Sequence, residues 1–232
     1  MGIKERHDRE RHAVRASILT AARDLFVAEG YPNVSIRKIA ERIEYSPAAI
    51  YSYFPGKDDI FFALAAEGFQ TLDAVIRDAA GDPDPLQDLR HCWWAFYLFS
   101  KEHREFFHLM FVDRTVPVIT EQWQGFAVLQ QMIDRVAARI QRAIDAGQLP
   151  ATLHPQVALH VLWASMTGPA VIGSTCRLAP GENPDALARD VLETTLAGLS
   201  AGVPLTFVPC HPPAPSPSPT AHPRIGVSAH EG

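Results

Sequence analysis

From about residue 12 to residue 202, apolar residues return at intervals of three and four, and no segment alternates at the period of a strand. A chain patterned this way can bury its apolar surface only by packing helix on helix, so the predicted fold is all-α. Ile18, Ala21, Ala22, Leu25 and Phe26 form one helical face, and Glu29-Gly30-Tyr31-Pro32 stops that helix. Ser35 can cap a second, short helix with Ile36, Ile39, Ala40 and Ile43 turned inward. Ser46 followed by Pro47 is a start signal for a third, which ends near Phe54-Pro55-Gly56. Asp58 and Asp59 then sit in the first turn of a fourth helix, where they complement the dipole, and it runs to about Ala80.

Further helices are expected at 86–100, 102–113, 118–147, 154–173 and 184–202, about nine in all. The longest carries Phe126, Leu129, Ile133, Val136, Ile140 and Ala143 in an alternating 3,4 stripe. The apolar run 157–173 is interrupted by His160, Gly168 and Pro169, which marks it as a buried helix rather than a bilayer span. From Val203 onward the chain turns Pro-rich and charge-poor, and such a segment cannot offset its ordering entropy. Residues 203–232 are therefore read as a disordered tail. Its histidines, His211, His222 and His230, are irregularly spaced and are not read as metal ligands, and no cofactor is expected.

Charge is divided unevenly. The chain of 232 residues has a net charge of −5, but residues 1–60 carry 10 Lys/Arg against 9 Asp/Glu. A near-neutral head on an acidic body hints at where a polyanion docks. Three scattered cysteines, Cys92, Cys176 and Cys210, show neither a metal spacing nor a disulfide framework and suit a reducing compartment. The charged N-terminus lacks an apolar signal region, so a cytoplasmic protein is expected. Residues 1–11 are read as a flexible extension; the basic run Lys4, Arg6, Arg9, Arg11 and Arg15 interleaves with acids and reads as a frayed solvated helix, with an arm that enters the minor groove as the alternative.

The most informative stretch is 35–57. Ile43 and Ile50 are apolar on either side of a tight turn, and Ala40 is small where two helices meet. Two short helices so joined leave the outer face of the second free as a probe. That face offers Pro47, Ala48, Ala49, Ser52 and tyrosine hydroxyls. Small residues suit a helix whose backbone must approach the major groove, and hydroxyls can reach phosphates.

Residues 12–72, centred on SIRKIAERIEYSPAAIYSYFPGKDDI, resemble the DNA-binding domain of TetR/AcrR-type transcriptional regulators. Phe26, Gly30-Tyr31, Ile39-Ala40, Ser46, Tyr51, Tyr53-Phe54 and Lys57 stand in the register of that family's pattern. The resemblance implies a three-helix head, with the helix-turn-helix at 35–54, and a larger helical ligand-binding and dimerisation domain at 73–202. It implies that Arg37 reaches a base edge or a phosphate and that the backbone at Ser35 or Ile36 meets phosphate. Ser46, Pro47, Ala48 and Ala49 would face bases. Tyr51 would bond phosphate, Tyr53 would touch DNA or pack, Lys57 would pair with phosphate, and Phe54 would be core. One position departs from the pattern: the turn residue that is usually Gly is Glu44, followed by Tyr45. A non-Gly residue there either changes the turn or accepts about 1 kcal/mol of backbone cost.

The body is rich in aromatics. The resemblance implies an apolar small-molecule effector between its helices, with Trp94, Tyr97, His108, Trp123 and Trp163 as candidate contacts and His91 and Gln122 as further polar groups. It also implies a homodimer through the last two helices. There Ala164, Gly168, Ala188, Ala197 and Gly198 allow close approach, and Leu187, Val191, Leu192, Leu196 and Leu199 supply apolar area. Such a dimer would read a near-palindromic double-stranded operator as a ligand-responsive repressor, with no membrane partner. Two other readings stand beside it. A helical enzyme would have to use His103 with Glu102 and Glu105, or Cys92 with His91, and no catalytic motif accompanies either set. The helix-turn-helix could also serve only as a protein-interaction scaffold.

Overall fold

In a computed structural model, residues 2–120, 125–175 and 177–208 are described, and all regular structure among them is helical. The order is α1 (Ile3–Glu29), a 3-10 turn at Tyr31–Asn33, α2 (Ile36–Arg42), α3 (Pro47–Tyr51), α4 (Lys57–Asp78), α5 (Pro85–Glu102), α6 (Arg104–Phe107), a π-helical turn at His108–Val112, α7 (Phe126–Asp145), α8 (Pro155–Ser174) and α9 (Pro184–Ser200). The architecture is a three-helix head, α1–α3, followed by a larger helical body. Helix α4 belongs to both.

The head closes around Ile18, Ala22, Phe26, Ile39, Ala40, Ile50 and Ile60, each wholly shielded from solvent. Gly30 ends α1 at φ 81°, where its N–H bonds the Phe26 carbonyl at 3.0 Å. Glycine reaches that angle at no steric cost. The turn delivers Tyr31 inward, its ring 5.0 Å from Phe26 and 5.8 Å from Phe61 of α4. The Tyr31 hydroxyl donates to Asp58, and Lys57 Nζ donates to the Tyr31 carbonyl at 2.9 Å. Phe26, Gly30, Tyr31 and Lys57 are thus one joint, which fixes the end of α1 to the start of α4. Burial and the Asp58 bond push the Tyr31 phenol above its ordinary range, so it stays a donor.

In the body α8 is central, packed against α5, α7 and α9. By length and composition alone it could cross a bilayer, but it buries Val157, Ala158, Leu159, Leu162, Met166, Pro169 and Ala170 against its neighbours. Asp88 at the start of α5 is buried, accepting from the Gly81 N–H at 2.8 Å and from Arg139 and Arg142 of α7 at 3.1 and 3.3 Å. Asp73 of α4 pairs with Arg135 of α7 at 2.5 Å. These pairs fix α7 against α4 and α5.

Three expected elements differ. Helix α1 starts at Ile3, so the extension expected as a frayed helix is one continuous helix with the core segment, with an Arg6–Glu10 pair at 2.9 Å and a Glu5 bond to the Gly2 N–H at 3.1 Å. The helix expected at 102–113 breaks at His103, which leaves helical angles, and resumes as α6 and the π turn. The helix expected from 118 begins at Phe126. Pro117 and the β-branched Val118-Ile119-Thr120 disfavour an earlier start, and Ile119 serves the cavity described below. Of the Pro-rich tail, 203–208 run without helix and bring the Phe207 ring 5.1 Å from His160. The rest of the tail, with its three histidines, lies outside the described residues.

Candidate nucleic-acid interface and an apolar cavity

The geometry of α2 and α3 follows from their ends. Ser35 accepts from the Lys38 N–H and Ser46 from the Ala49 N–H, each at 3.2 Å, and caps of this kind contribute about 1 kcal/mol apiece. Between them α2 stops in a Schellman turn. The Tyr45 N–H bonds the Ala40 carbonyl at 2.9 Å, the Glu44 N–H bonds the Glu41 carbonyl at 3.3 Å, and Glu44 sits at φ 60°. Among the described residues Glu44 is the one non-glycine with positive φ. The turn geometry therefore persists without glycine, at the backbone cost that a side chain incurs there.

With Ile50 fully buried beneath it, α3 turns Pro47, Ala48, Tyr51 and Ser52 to solvent, while Ala49 is half-buried. The Tyr51 ring is 55% exposed, too open for a packing tyrosine. Ser35 and Arg37 are exposed at the start of α2, where Arg37 Nε donates to Glu41 at 2.8 Å. That bond and the charge of Glu41 raise the guanidinium pKa further, and the pair is fully in water and worth little. Ser35, Arg37, Ser46, Pro47, Ala48 and Tyr51 are all exposed on this pair of helices. Two of the expected contacts, Lys57 and Tyr53, have partners within the head. Lys57 Nζ is engaged with the Tyr31 carbonyl and lies 4.1 Å over the Tyr31 ring. Tyr53 is half-buried under the guanidinium of Arg11, 5.3 Å from its centroid. Phe54 is core.

The body contains an apolar cavity of about 280 Å³. Phe69 and Leu72 of α4, Trp93 and Phe96 of α5, Met110 and Phe111 of the π turn, Ile119, Leu129 and Ile133 of α7, and His160 and Trp163 of α8 line it. Polar groups are few. His160 Nδ1 lies 2.6 Å from the Gln156 carbonyl, and the buried Trp93 Nε1 has no acceptor among the described residues.

Of the candidate ligand contacts, Trp163 alone lines this cavity among the described residues. Trp94 and Tyr97 face α9 instead. Arg189 stacks 4.1 Å over Trp94, and the Tyr97 hydroxyl donates to Asp185 at 2.7 Å. Burial, then that bond, raises the Tyr97 phenol above its usual range. His108 is exposed and His91 is turned toward Asp82. Gln122 and Trp123 lie outside the described residues. Trp93 and His160 are the residues that sequence reasoning missed. Trp93 adjoins Trp94 in sequence, and only the rotation of α5 decides which faces inward. His160 offered a signal, as a lone polar residue in an apolar helix.

The residues named for the dimer also divide. Ala188, Leu192, Leu196 and Leu199 are buried within the chain itself. Ala164, Gly168 and Ala197 are exposed, and Leu187, Val191 and Gly198 are half-exposed. The candidate catalytic sets come apart, since Cys92 is buried while His91 is not, and burial pushes the thiol up to about 12. The His103 ring packs on Phe99 at 5.1 Å.

A helix-turn-helix head on a helical body with an apolar cavity is an arrangement suited to a DNA-binding regulator. Comparison with known proteins agrees. Residues 18–64 match the family of bacterial regulatory proteins described as the tetR family. The transcriptional repressor AcnR of Corynebacterium glutamicum is 28% identical over 195 residues, 78% of this chain and 92% of that protein. Among solved structures, the TetR-family regulator PfmR of Thermus thermophilus covers 78% of this chain and 98% of its own, with a TM-score of 0.61 at 21% identity. The regulator FadR of Bacillus subtilis, solved with stearoyl-CoA, covers 79% and 98% with a TM-score of 0.67 at 17% identity. Residues 18–64 thus match the DNA-binding region of the tetR family, and over most of its length the chain is similar to transcriptional regulators of that kind.

Proposed function

We propose that the chain is a ligand-responsive cytoplasmic repressor that reads a near-palindromic operator as a homodimer. The observation that carries this is the outer face of α3, where small residues and an exposed tyrosine stand over a fully buried Ile50. In this reading Ser46, Pro47, Ala48 and Ala49 approach base edges in the major groove. Arg37 exchanges its weak surface partner Glu41 for a base edge or a phosphate. Ser35 and Tyr51 bond phosphates, Tyr53 borders the backbone, and Lys57 keeps two of its three donors for a phosphate.

The exposed Ala164, Gly168 and Ala197 and the half-exposed Leu187, Val191 and Gly198 of α8 and α9 form the dimer face in this reading. Among the described residues, nothing lies within 4 Å of where a Gly168 side chain would start, which leaves room for a partner helix. A two-fold axis there would set two heads about one DNA turn apart.

The effector is an apolar small molecule held in the cavity. A route to the head supports the coupling. A Cβ on Gly68 of α4 would collide with Met110 Sδ, so α4 touches the π turn that walls the cavity. A ligand that displaces Met110 and Phe111 shifts α4, whose first residue is Lys57 in the head. Ligand and operator then weaken each other reciprocally. The test is sedimentation and operator binding side by side. A dimer that binds one palindromic site, with Gly168→Trp breaking both dimer and tight binding, supports the reading. A monomer that binds equally well contradicts it.

A further inference from the structure

Arg11 and Arg15 of α1 differ from the paired cations of the head. Arg6 pairs with Glu10 at 2.9 Å, Lys38 with Glu29, and Arg37 with Glu41 at 2.8 Å. Lys57 is bonded to the Tyr31 carbonyl. Arg11 and Arg15 make no ion pair among the described residues. Each is exposed and lies over an aromatic ring. The Arg11 guanidinium is 5.3 Å from the Tyr53 centroid and that of Arg15 is 5.0 Å from the Phe54 centroid. Stacking occupies the face of a guanidinium and leaves its edge N–H groups free. It also fixes a side chain that would otherwise lose rotamer freedom on binding.

Tyr53 and Phe54 directly follow α3. The two cations are therefore anchored beside the C-terminal end of the helix that presents Tyr51. Lys4, His7, Arg11 and Arg15 recur at helical spacing, with Asp8 as an acid on the same face, so the stripe continues along the exposed start of α1. His7, Arg11 and Val14 border an open cleft with Tyr45 and Tyr53. Glu10, which shares it, is held by Arg6.

We infer that Arg11 and Arg15 form a pre-set clamp on the DNA phosphate backbone, a contact surface on α1 additional to α2 and α3. This rests on the DNA-reading function proposed above. Phosphate contacts position a protein without reading sequence, so the clamp contributes affinity and salt dependence, not selectivity. Each cation that neutralises a phosphate adds about 0.9 to the slope of log K against log salt.

The experiment is fluorescence anisotropy on a duplex obtained by selection from random DNA, over a salt series. Four full-length proteins are compared: wild type, Arg11→Gln/Arg15→Gln, Arg11→Lys/Arg15→Lys, and Ala48→Glu. The Gln pair keeps its stems over the rings, and a thermal melt checks that the head stays folded. The clamp predicts that the Gln pair loses about 2 from the salt slope per protomer, weakening selected and unrelated DNA alike. The Lys pair keeps the slope but binds more weakly, having lost the planar stack. An unchanged slope in a folded Gln pair, with selective binding intact, overturns the clamp and leaves the DNA reading standing. A wild type that selects no DNA overturns both.

Discussion

The head and the body solve opposite problems with the same helices. In the head, most of the large apolar residues are inside, and the proposed reading face is turned outward. Ile50 is fully buried, while Ala48 and Tyr51 on the same short helix face solvent. In the body, the outside is ordinary and the opening is inside, where Phe69, Trp93, Phe96 and Phe111 surround a cavity of about 280 Å³. A reading surface needs a rigid scaffold beneath it. The effector site proposed for the body needs space that a well-packed core would not leave. The difference teaches where each region tolerates change.

An overpacking substitution breaks the comparison most sharply. Ala40 is fully buried between α2 and its neighbours, so Ala40→Leu should cost about 1–3 kcal/mol and lose operator binding. Ile133→Phe in the cavity wall should leave the melting temperature nearly unchanged and spare operator binding, while abolishing the response to any effector. Thermal melts and anisotropy on both variants check this. Equal destabilisation at the two sites would mean that the cavity is not free space.

A reading contact should come next in size. Arg37→Ala should cost about 1–3 kcal/mol of operator binding if it meets a base edge, with relaxed selectivity at one position. Anisotropy against single-base variants of the site measures it, and stability should hardly move, because its partner Glu41 is an exposed i+4 neighbour.

Smaller again is Glu44→Gly. Removing a side chain from φ 60° should stabilise the head by about 1 kcal/mol, read by denaturant midpoint, and removing a negative charge beside the reading helix should tighten DNA binding. The mildest readout is chemical. Burial raises the Cys92 thiol to about 12, so at pH 8 it stays protonated in the folded chain. Alkylation mapped by mass spectrometry should spare Cys92 until denaturant is added.

The same contrast explains what the sequence disclosed. Positions in the head carry distinctive residues for distinct jobs: Ser35 and Ser46 as caps, Gly30 at positive φ, Tyr31 in the joint with α4. Each leaves a mark at fixed spacing, so the helix-turn-helix and its exposed face are legible. The turn at Glu44 is legible as a position, and only the structure shows that its geometry survives without glycine. The body discloses its helices but not its site. Cavity walls and core walls use the same residues, so Trp93 and Trp94 differ by a rotation of about 100° on α5, which composition does not encode. His108 looks equally suited to a ligand and is exposed, while His160, which reads as an interruption of an apolar helix, borders the cavity. Lys57 is legible as functional in position but not in bonding, because its acceptor is a backbone carbonyl 26 residues away.

The central claim is that the outer face of α3 reads DNA. The most direct measurement is selection of duplexes from a random pool by wild-type protein, repeated with Ala48→Glu, which adds charge and bulk to that face without touching the buried side. The account predicts an enriched near-palindrome for wild type and no enrichment for the folded variant. The same enriched sequence from both proteins would contradict it.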